Sequence, residues 1–253
     1  MDINLTGKIA IVTGGAGQLG RVMVRTLAQC GADVAIHYHN SAAMALELQD
    51  EVRAMGRRAF IVQADITSGD EVNAMRDAVV SALGWPDIVV DNAVIQYLWT
   101  TVLEQDAADY ESQFRSCVMQ NVFMAKAFVP RMVERRCGRF IAINTECAML
   151  NKPNQSAYVS GKRGMDGMLK TLALEVAEYN VTVNQIAPGW TFSDKDRQPG
   201  AAIGEDYILH VPMKRRGTDQ EIANVVAFLA SDLSSFVTGA VIPVCGGTAV
   251  SPI

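Results

Sequence analysis

Ile9-Ala10-Ile11-Val12-Thr13-Gly14-Gly15-Ala16-Gly17-Gln18-Leu19-Gly20 is a four-residue apolar run that stops in a glycine-rich turn. A short apolar run of this kind reads as a strand buried on both faces. Leu19 to Cys30 then carries apolar residues at helical spacing and stops at Gly31, a helix with a glycine end signal. Residues 15–20 fit G-x-G-x-x-G between that strand and that helix. Glycine lets the backbone turn sharply and approach a pyrophosphate, and the helix behind it offers unpaired N–H groups and a positive dipole end. The pattern is weak alone and much stronger at a first strand-to-helix junction.

Working outward, the strand–helix alternation continues. Strands are expected at Val34–Ile36, Phe60–Val62, Ile88–Val90, Phe140–Ile143, Val181–Ile186 and Val241–Val244. Helices are expected over 42–55, 69–83, 107–136, 156–179 and 219–231, with Pro130 marking a kink or break in the long third one. Residues 189–213 break the rhythm with prolines, glycines and mixed charge. Alternation along the whole chain implies an α/β fold, a single doubly wound Rossmann-type domain over 1–253 with a parallel seven-stranded sheet and helices on both faces. A TIM barrel is the competing architecture, but it usually carries its phosphate loop late in the chain, and here that loop follows the first strand.

Bulk properties narrow the function classes. The 253 residues are 49% hydrophobic and 19% charged, with a net charge of −5. That balance argues against a nucleic-acid partner, which requires a basic face. The five cysteines are scattered and form no C-x-x-C pair, so they read as reduced thiols. Three histidines without an H-E-x-x-H argue against a zinc hydrolase, and no metal site is expected. No apolar stretch approaches the roughly 20 residues of a membrane span, and the acidic start at Met1-Asp2 is no signal peptide. The expectation is a soluble, cytoplasmic protein.

Two further stretches carry chemistry. Tyr158-Val159-Ser160-Gly161-Lys162 sets a phenol and an ammonium four residues apart, on one helix face. A free tyrosine, with a pKa of roughly 10, is a poor proton shuttle near neutrality. A fixed positive charge beside it stabilises phenolate and makes the pair a candidate acid/base between alcohol and carbonyl. Alone, this spacing is as readily an exposed tyrosine beside a solvated lysine. Asn144-Thr145 closes the fifth strand, at the carboxyl edge where parallel sheets bind ligands, and its hydroxyl can bond a substrate oxygen. At the end of the second strand, His37-Tyr38-His39-Asn40-Ser41 has no carboxylate to bind a ribose 2′-hydroxyl. A 2′-phosphate there meets His39, Asn40 and Ser41 without repulsion, which favours NADP(H) over NAD(H). Asp65, after the third strand, reads equally as a residue at an adenine ring and as a turn or helix N-cap.

Taken together, Thr13-Gly14…Gly20, Asp65, Asp91-Asn92-Ala93, Asn121, Thr145, Tyr158…Lys162, Asn184…Pro188-Gly189 and Gly239 to Gly247 resemble the short-chain dehydrogenase/reductase family, in its order and over nearly the whole chain. Within the family, the chain resembles 3-oxoacyl-(acyl-carrier-protein) reductase-like members. The resemblance implies hydride transfer between a nicotinamide and a carbonyl or secondary alcohol. Tyr158 would be the general acid/base, Lys162 would bind the nicotinamide ribose and hold the phenol's pKa down, and Thr145 would orient the substrate oxygen. Asn121 would hold a water linking Lys162 to solvent. Gly14, Gly17, Gln18, Leu19 and Gly20 would cradle the pyrophosphate. Ile66, Asn92, Ala93 and Val94 would line the cofactor's flank. Pro188, Gly189 and Thr191 would seat the carboxamide, and residues 190–213 would form the substrate loop. A small-molecule carbonyl or alcohol partner and a homodimer or homotetramer built on the helices around 107–136 and 156–179 follow from the same likeness, beside the expectation from charge and hydropathy of no nucleic acid and no membrane.

Five positions depart from the family pattern. Gln18 stands for a glycine, Asp91 for an asparagine, Val94 for a glycine, Thr145 for the usual serine, and Cys245 for an aspartate. Gln18 must point away from a pyrophosphate or bond to it. Gln96, Tyr97, Trp99, Glu146, Asn151, Trp190 and Phe192 are candidates to line the substrate pocket by position. Two other readings compete: an NAD-dependent sugar or polyol dehydrogenase, suited by the mixed charges of residues 194–197, and a cofactor-sensing protein without catalysis, which would typically lack the Tyr and Lys present here.

Overall fold

The computed structural model describes residues 2–95, 97–192 and 204–249. Seven strands form one sheet: β1 Ile9–Val12, β2 Asp33–Tyr38, β3 Ala59–Gln63, β4 Ile88–Asp91, β5 Gly138–Ile143, β6 Val181–Pro188 and β7 Val241–Val244. Their order is β3-β2-β1-β4-β5-β6-β7, and every neighbouring pair is parallel. Each pairing therefore needs a crossover, supplied by helices α1 Gln18–Gln29, α2 Ala42–Ala54, α3 Gly69–Ala82, α4 Ala107–Gln113, α5 Gln120–Arg135, α6 Cys147–Leu150, α7 Ser156–Val176, α8 Glu205–His210 and α9 Asp219–Ala230.

The period of two along each strand divides the core into two layers. Ile11, Val89 and Phe140 face α3, α5 and α7, packing with Met75, Phe128 and Leu169. Ala10, Val12, Val90 and Ile141 face α1, α2 and α9, packing with Met23, Leu27, Val52 and Ile222. Phe128 and Phe140 are fully buried, and burial of a side chain that size contributes about 1.5–3 kcal/mol.

The strand order reverses between β1 and β4, so their carboxyl ends diverge and leave a crevice at that edge. The glycine turn after β1 opens there, and so do the ends of β4, β5 and β6.

One expectation needs correction. Pro130 does not break the long helix; α5 runs through it to Arg135. The irregularity lies earlier, where Phe114–Met119 forms a π-helical segment between α4 and α5. A π turn inserts an extra residue and re-aims the faces on either side. Ser116, Cys117 and Asn121 are thereby buried toward α7. Two short helices were not expected: α6, just past β5, and α8, inside the rhythm-breaking stretch.

Candidate active site

The turn after β1 is built around Gly14 and Thr13. Gly14 has φ +60°, and a Cβ on it would lie 3.0 Å from Ala93 Cα. A Cβ on Gly20 would come within 2.1 Å of the Gly14 carbonyl, so only glycine lets α1 start this close to the turn. The Thr13 hydroxyl donates to Asp91 Oδ1 at 2.7 Å and accepts from the amides of Asn92 (2.9 Å) and Ala93 (3.0 Å). It thus locks the first strand end to the fourth. No side chain caps the N-terminus of α1, and no acid occupies its first turn. Its amides and dipole are free to take a phosphate.

His37 does not join the polar end of β2. It is buried, its Nδ1 accepts the Gly14 amide at 2.9 Å, and its Nε2 donates to the Ala64 carbonyl at 2.9 Å. An accepting Nδ1 places the proton on Nε2. Burial pushes its pKa below the usual histidine value. His39, Asn40 and Ser41 are exposed at the mouth. Ser41 begins α2 without a capping bond, and no acid sits in that helix's first turn. Asp65 is a turn residue whose Oδ1 accepts from the Thr67 amide and hydroxyl, both at 2.8 Å. Burial works to raise its carboxyl, but the two Thr67 bonds and the nearby His39 and His37 hold it below the usual range.

Of the catalytic and cofactor-binding residues expected from sequence, all but Gly20 and Asn121 line one cleft of about 870 Å³. Its floor joins the glycine turn to Thr145, Tyr158 and Lys162. Lys162 is buried, and its Nζ donates to the Ile143 carbonyl at 2.6 Å and lies 5.9 Å from the centre of the Tyr158 ring. Burial pushes the Tyr158 phenol well above the usual tyrosine value, while the Thr145 hydroxyl works in the opposite direction. The lowering expected from Lys162 is not found in this cleft: the phenol's pKa goes up, not down. The phenol therefore carries its proton, and it needs positive charge beside it to release that proton readily.

Three polar residues fix this geometry. Asn144 Oδ1 accepts the Thr145 amide at 2.9 Å, and its Nδ2 donates to Gln185 Oε1 at 2.7 Å. Gln185 Nε2 in turn donates to Asp166 of α7 at 2.9 Å. Strand β5 and the helix bearing Tyr158 are thereby tied through β6. Asn121 lies behind the cleft rather than on its wall; its Nδ2 donates to the Cys117 carbonyl at 2.8 Å across the π segment.

Among the pocket candidates, Tyr97 accepts the Tyr158 amide at 2.6 Å and Trp99 stacks on the Tyr158 ring at 5.7 Å. Glu146 is buried, accepting from Tyr207 of α8 at 2.9 Å and from Thr248 by a short bond. Tyr207 also accepts the Trp190 amide at 2.9 Å. The Gln18 amide reaches across the cleft to donate to the Phe192 carbonyl. Asn151 ends α6 with φ +52° and is exposed. Val94 lines the cleft, and the buried Cys245 Sγ accepts the Ala249 amide at 3.4 Å. Gln96 and residues 194–197 lie outside the described residues.

Sequence reasoning missed Tyr207 and Arg216. Arg216 is fully buried, stacked 4.1 Å from the Trp190 ring and 4.5 Å from the Phe192 ring, and donates to the Thr191 carbonyl at 2.6 Å. Nothing in its neighbours Arg215 and Gly217 marks it; three basic residues in a row read as a solvated turn.

With the geometry in hand, likeness to known proteins settles the class. A family model described as enoyl-(acyl carrier protein) reductase matches residues 14–249. A 3-oxoacyl-(acyl-carrier-protein) reductase of Staphylococcus epidermidis is 36% identical over 95% of this chain and 98% of its own. The crystal structure of an NAD+-bound xylitol dehydrogenase is similar with TM-score 0.89 at 29% identity, covering 96% of this chain and 99% of that one. A blue fluorescent protein from a metagenomic library, in complex with NADPH, is similar with TM-score 0.89 at 31% identity, covering 98% and 100%. The chain belongs to the short-chain dehydrogenase/reductase family. It is an NAD(P)-dependent oxidoreductase that interconverts carbonyl and alcohol groups.

Proposed function

We propose that the chain is an NADP(H)-preferring carbonyl reductase in which Tyr158 is the proton donor and Thr145 and Lys162 complete the reacting group. The observation that carries this is the convergence of Thr145, Tyr158 and Lys162 on one cleft with the glycine turn. The chain's residues fit a dinucleotide: the turn has no Cβ at Gly14, Gly17 or Gly20, and the helix behind it is uncapped. When bound, the nicotinamide supplies or accepts the hydride. Tyr158 gives its proton to the oxygen that becomes the alcohol. Thr145 donates to the same oxygen and stabilises charge developing there. Lys162 holds the ribose and supplies positive charge, and Asn121 is read as its link to solvent.

The cofactor preference is supported by the exposed His39, Asn40 and Ser41 and by the acid-free start of α2. A 2′-phosphate meets hydroxyl, amide and imidazole there and no carboxylate. Similarity to 3-oxoacyl-(acyl-carrier-protein) reductases supports 3-oxoacyl thioesters as the first substrates to try. We read residues 190–213 as the substrate loop of a single catalytic domain, and free cysteines as suited to a reducing cytoplasm.

The test is turnover of 3-oxoacyl thioesters, ketones and sugars, each with NADPH and NADH. The reading expects NADPH to be preferred and Tyr158→Phe to cost about 10²–10⁴-fold in kcat. Undiminished turnover by Tyr158→Phe, on every substrate the parent accepts, refutes the mechanism; equal use of both cofactors refutes the preference. A homo-oligomer is also expected, since Leu103, Phe114 and Phe236 are exposed. Light scattering should give twice or four times the 27.4 kDa chain, and a lone monomer would reject this part.

A further inference from the structure

Asp91 ends β4, is 1% exposed, and stands where the family pattern has asparagine. One oxygen accepts the Thr13 hydroxyl, whose single proton is thereby committed. The other, Oδ2, makes no hydrogen bond among the described residues. A buried carboxylate satisfied on one side only is costly unless a positive charge lies near. Sheet register supplies one. Asp91 pairs with Ala142 of β5, and the next residue, Ile143, gives the carbonyl that holds Lys162 Nζ. The titratable groups that face Asp91 are Lys162 from α7, which favours its ionised form, and Cys117 from the π segment. Strand β1 brings Thr13 and β5 brings Ala142, neither of which titrates. Ser116 Oγ, Gln120 Oε1 and Asn121 Oδ1, on the π segment and the start of α5, are also buried without partners among the described residues.

We propose that Asp91 is the internal counter-charge of Lys162, and that it sets how strongly the ammonium acts on the Tyr158 phenol. It touches neither substrate nor cofactor in this role; it is a positioning residue acting through Lys162. The inference rests on Tyr158 being the proton donor. Burial pushes the Asp91 carboxyl up to about 6, with Thr13 and Lys162 pulling the other way. Above that pH the negative charge offsets part of the ammonium's field, and the phenol keeps its proton to higher pH. Below it, the carboxyl is neutral and the field acts undamped. An amide in place of the carboxyl removes the damping at all pH values with almost no change of shape.

The experiment compares the parent, Asp91→Asn and Asp91→Ala as purified full chains. The alkaline limb of kcat/KM for carbonyl reduction, where Tyr158 loses its proton, should move to lower pH by about one unit in both variants, the scale of one unit charge several ångströms away at an effective dielectric near 20–40. A readout independent of turnover is the side-chain resonance of Lys162 in lysine-labelled, cofactor-free protein, assigned by its loss in Lys162→Met. It should show an inflection near pH 6 in the parent and none in Asp91→Asn. An alkaline limb that stays in place, or a Lys162 resonance whose pH dependence is the same with and without Asp91, overturns the inference. The two failures are separable. An active Tyr158→Phe removes the mechanism itself, whereas an inactive Tyr158→Phe beside an unmoved Asp91→Asn limb removes only the role of Asp91.

Discussion

His37 shows how one side chain can change its meaning between sequence and structure. Read along the chain it belongs to a polar strand end, beside His39. In the fold it faces inward, orders the glycine turn through the Gly14 amide, and leaves the mouth to His39, Asn40 and Ser41. The alternation of β2 would have placed residue 37 on the opposite face from residues 36 and 38, but not said what it bonds. Arg216 and Tyr207 were illegible for a related reason: their partners Trp190 and Glu146 are distant in sequence, and such contacts leave no local pattern. Asp91 was legible as an oddity, and only its burial gives it weight. Its carboxyl sits at about 6 in the fold against 3.8 for an ordinary aspartate. The folded state therefore binds the proton more tightly, and the stability linked to this group is full below 3.8 and lost as pH rises through about 6. Asp91→Asn should accordingly be more stable than the parent by about 2–3 kcal/mol near pH 8, and gain little near pH 4. Chemical denaturation at the two pH values checks this.

At the scale of elements, strand and helix identity was readable because apolar periodicity is a local signal, and each of the seven strands appears where the apolar runs lie. The π segment at 114–119 was not readable. Its apolar residues keep helical spacing, and the segment packs against α7, a contact between remote parts of the chain that leaves no local pattern. Pro130 misled in the other direction. Helix termini with side-chain caps were better marked. Thr218 accepts the Glu221 amide, and Glu221 accepts the Thr218 amide at 2.8 Å, a reciprocal cap for α9. The Arg215 guanidinium, first, and the Thr218 amide then hold the Glu221 carboxyl down at about 2. Thr218→Ala should cost about 1 kcal/mol, read as a lowered denaturation midpoint with catalysis little changed. A loss of turnover matching the loss of stability would instead tie α9's start to the cleft.

Across the whole molecule, one sheet whose order reverses once brings residues from β1, β4, β5 and β6 to a common edge. That much followed from the alternation alone. What the sequence left open was the closure of the cleft, because it depends on bonds between remote segments. Glu146 links the end of β5 to α8 through Tyr207 and to the chain's far end through Thr248, and Gln18 crosses from the glycine turn to Phe192. No helix among the described residues is long and apolar enough to cross a membrane. The most exposed apolar side chains include Leu98 and Leu103 in the segment before α4, Phe114 at the start of the π segment, Leu174 on α7 and Phe236 in the loop before β7.

Gly161 lies between Tyr158 and Lys162 in sequence but on α7's other flank, against α4. A Cβ there would stand 2.8 Å from the Gln113 carbonyl, closer than carbon and oxygen tolerate. That contact acts as the fulcrum on which α7 rests, with the phenol and the ammonium on the arm beside it. Neither group can be moved alone; pushing the helix outward by a fraction of an ångström withdraws both from the cleft together. Gly161→Ala should therefore lower kcat by 10-fold or more, on the order of what a small misplacement of reacting groups costs, while cofactor binding at the glycine turn is largely kept. If kcat survives this change, the depth at which α7 sits is set elsewhere.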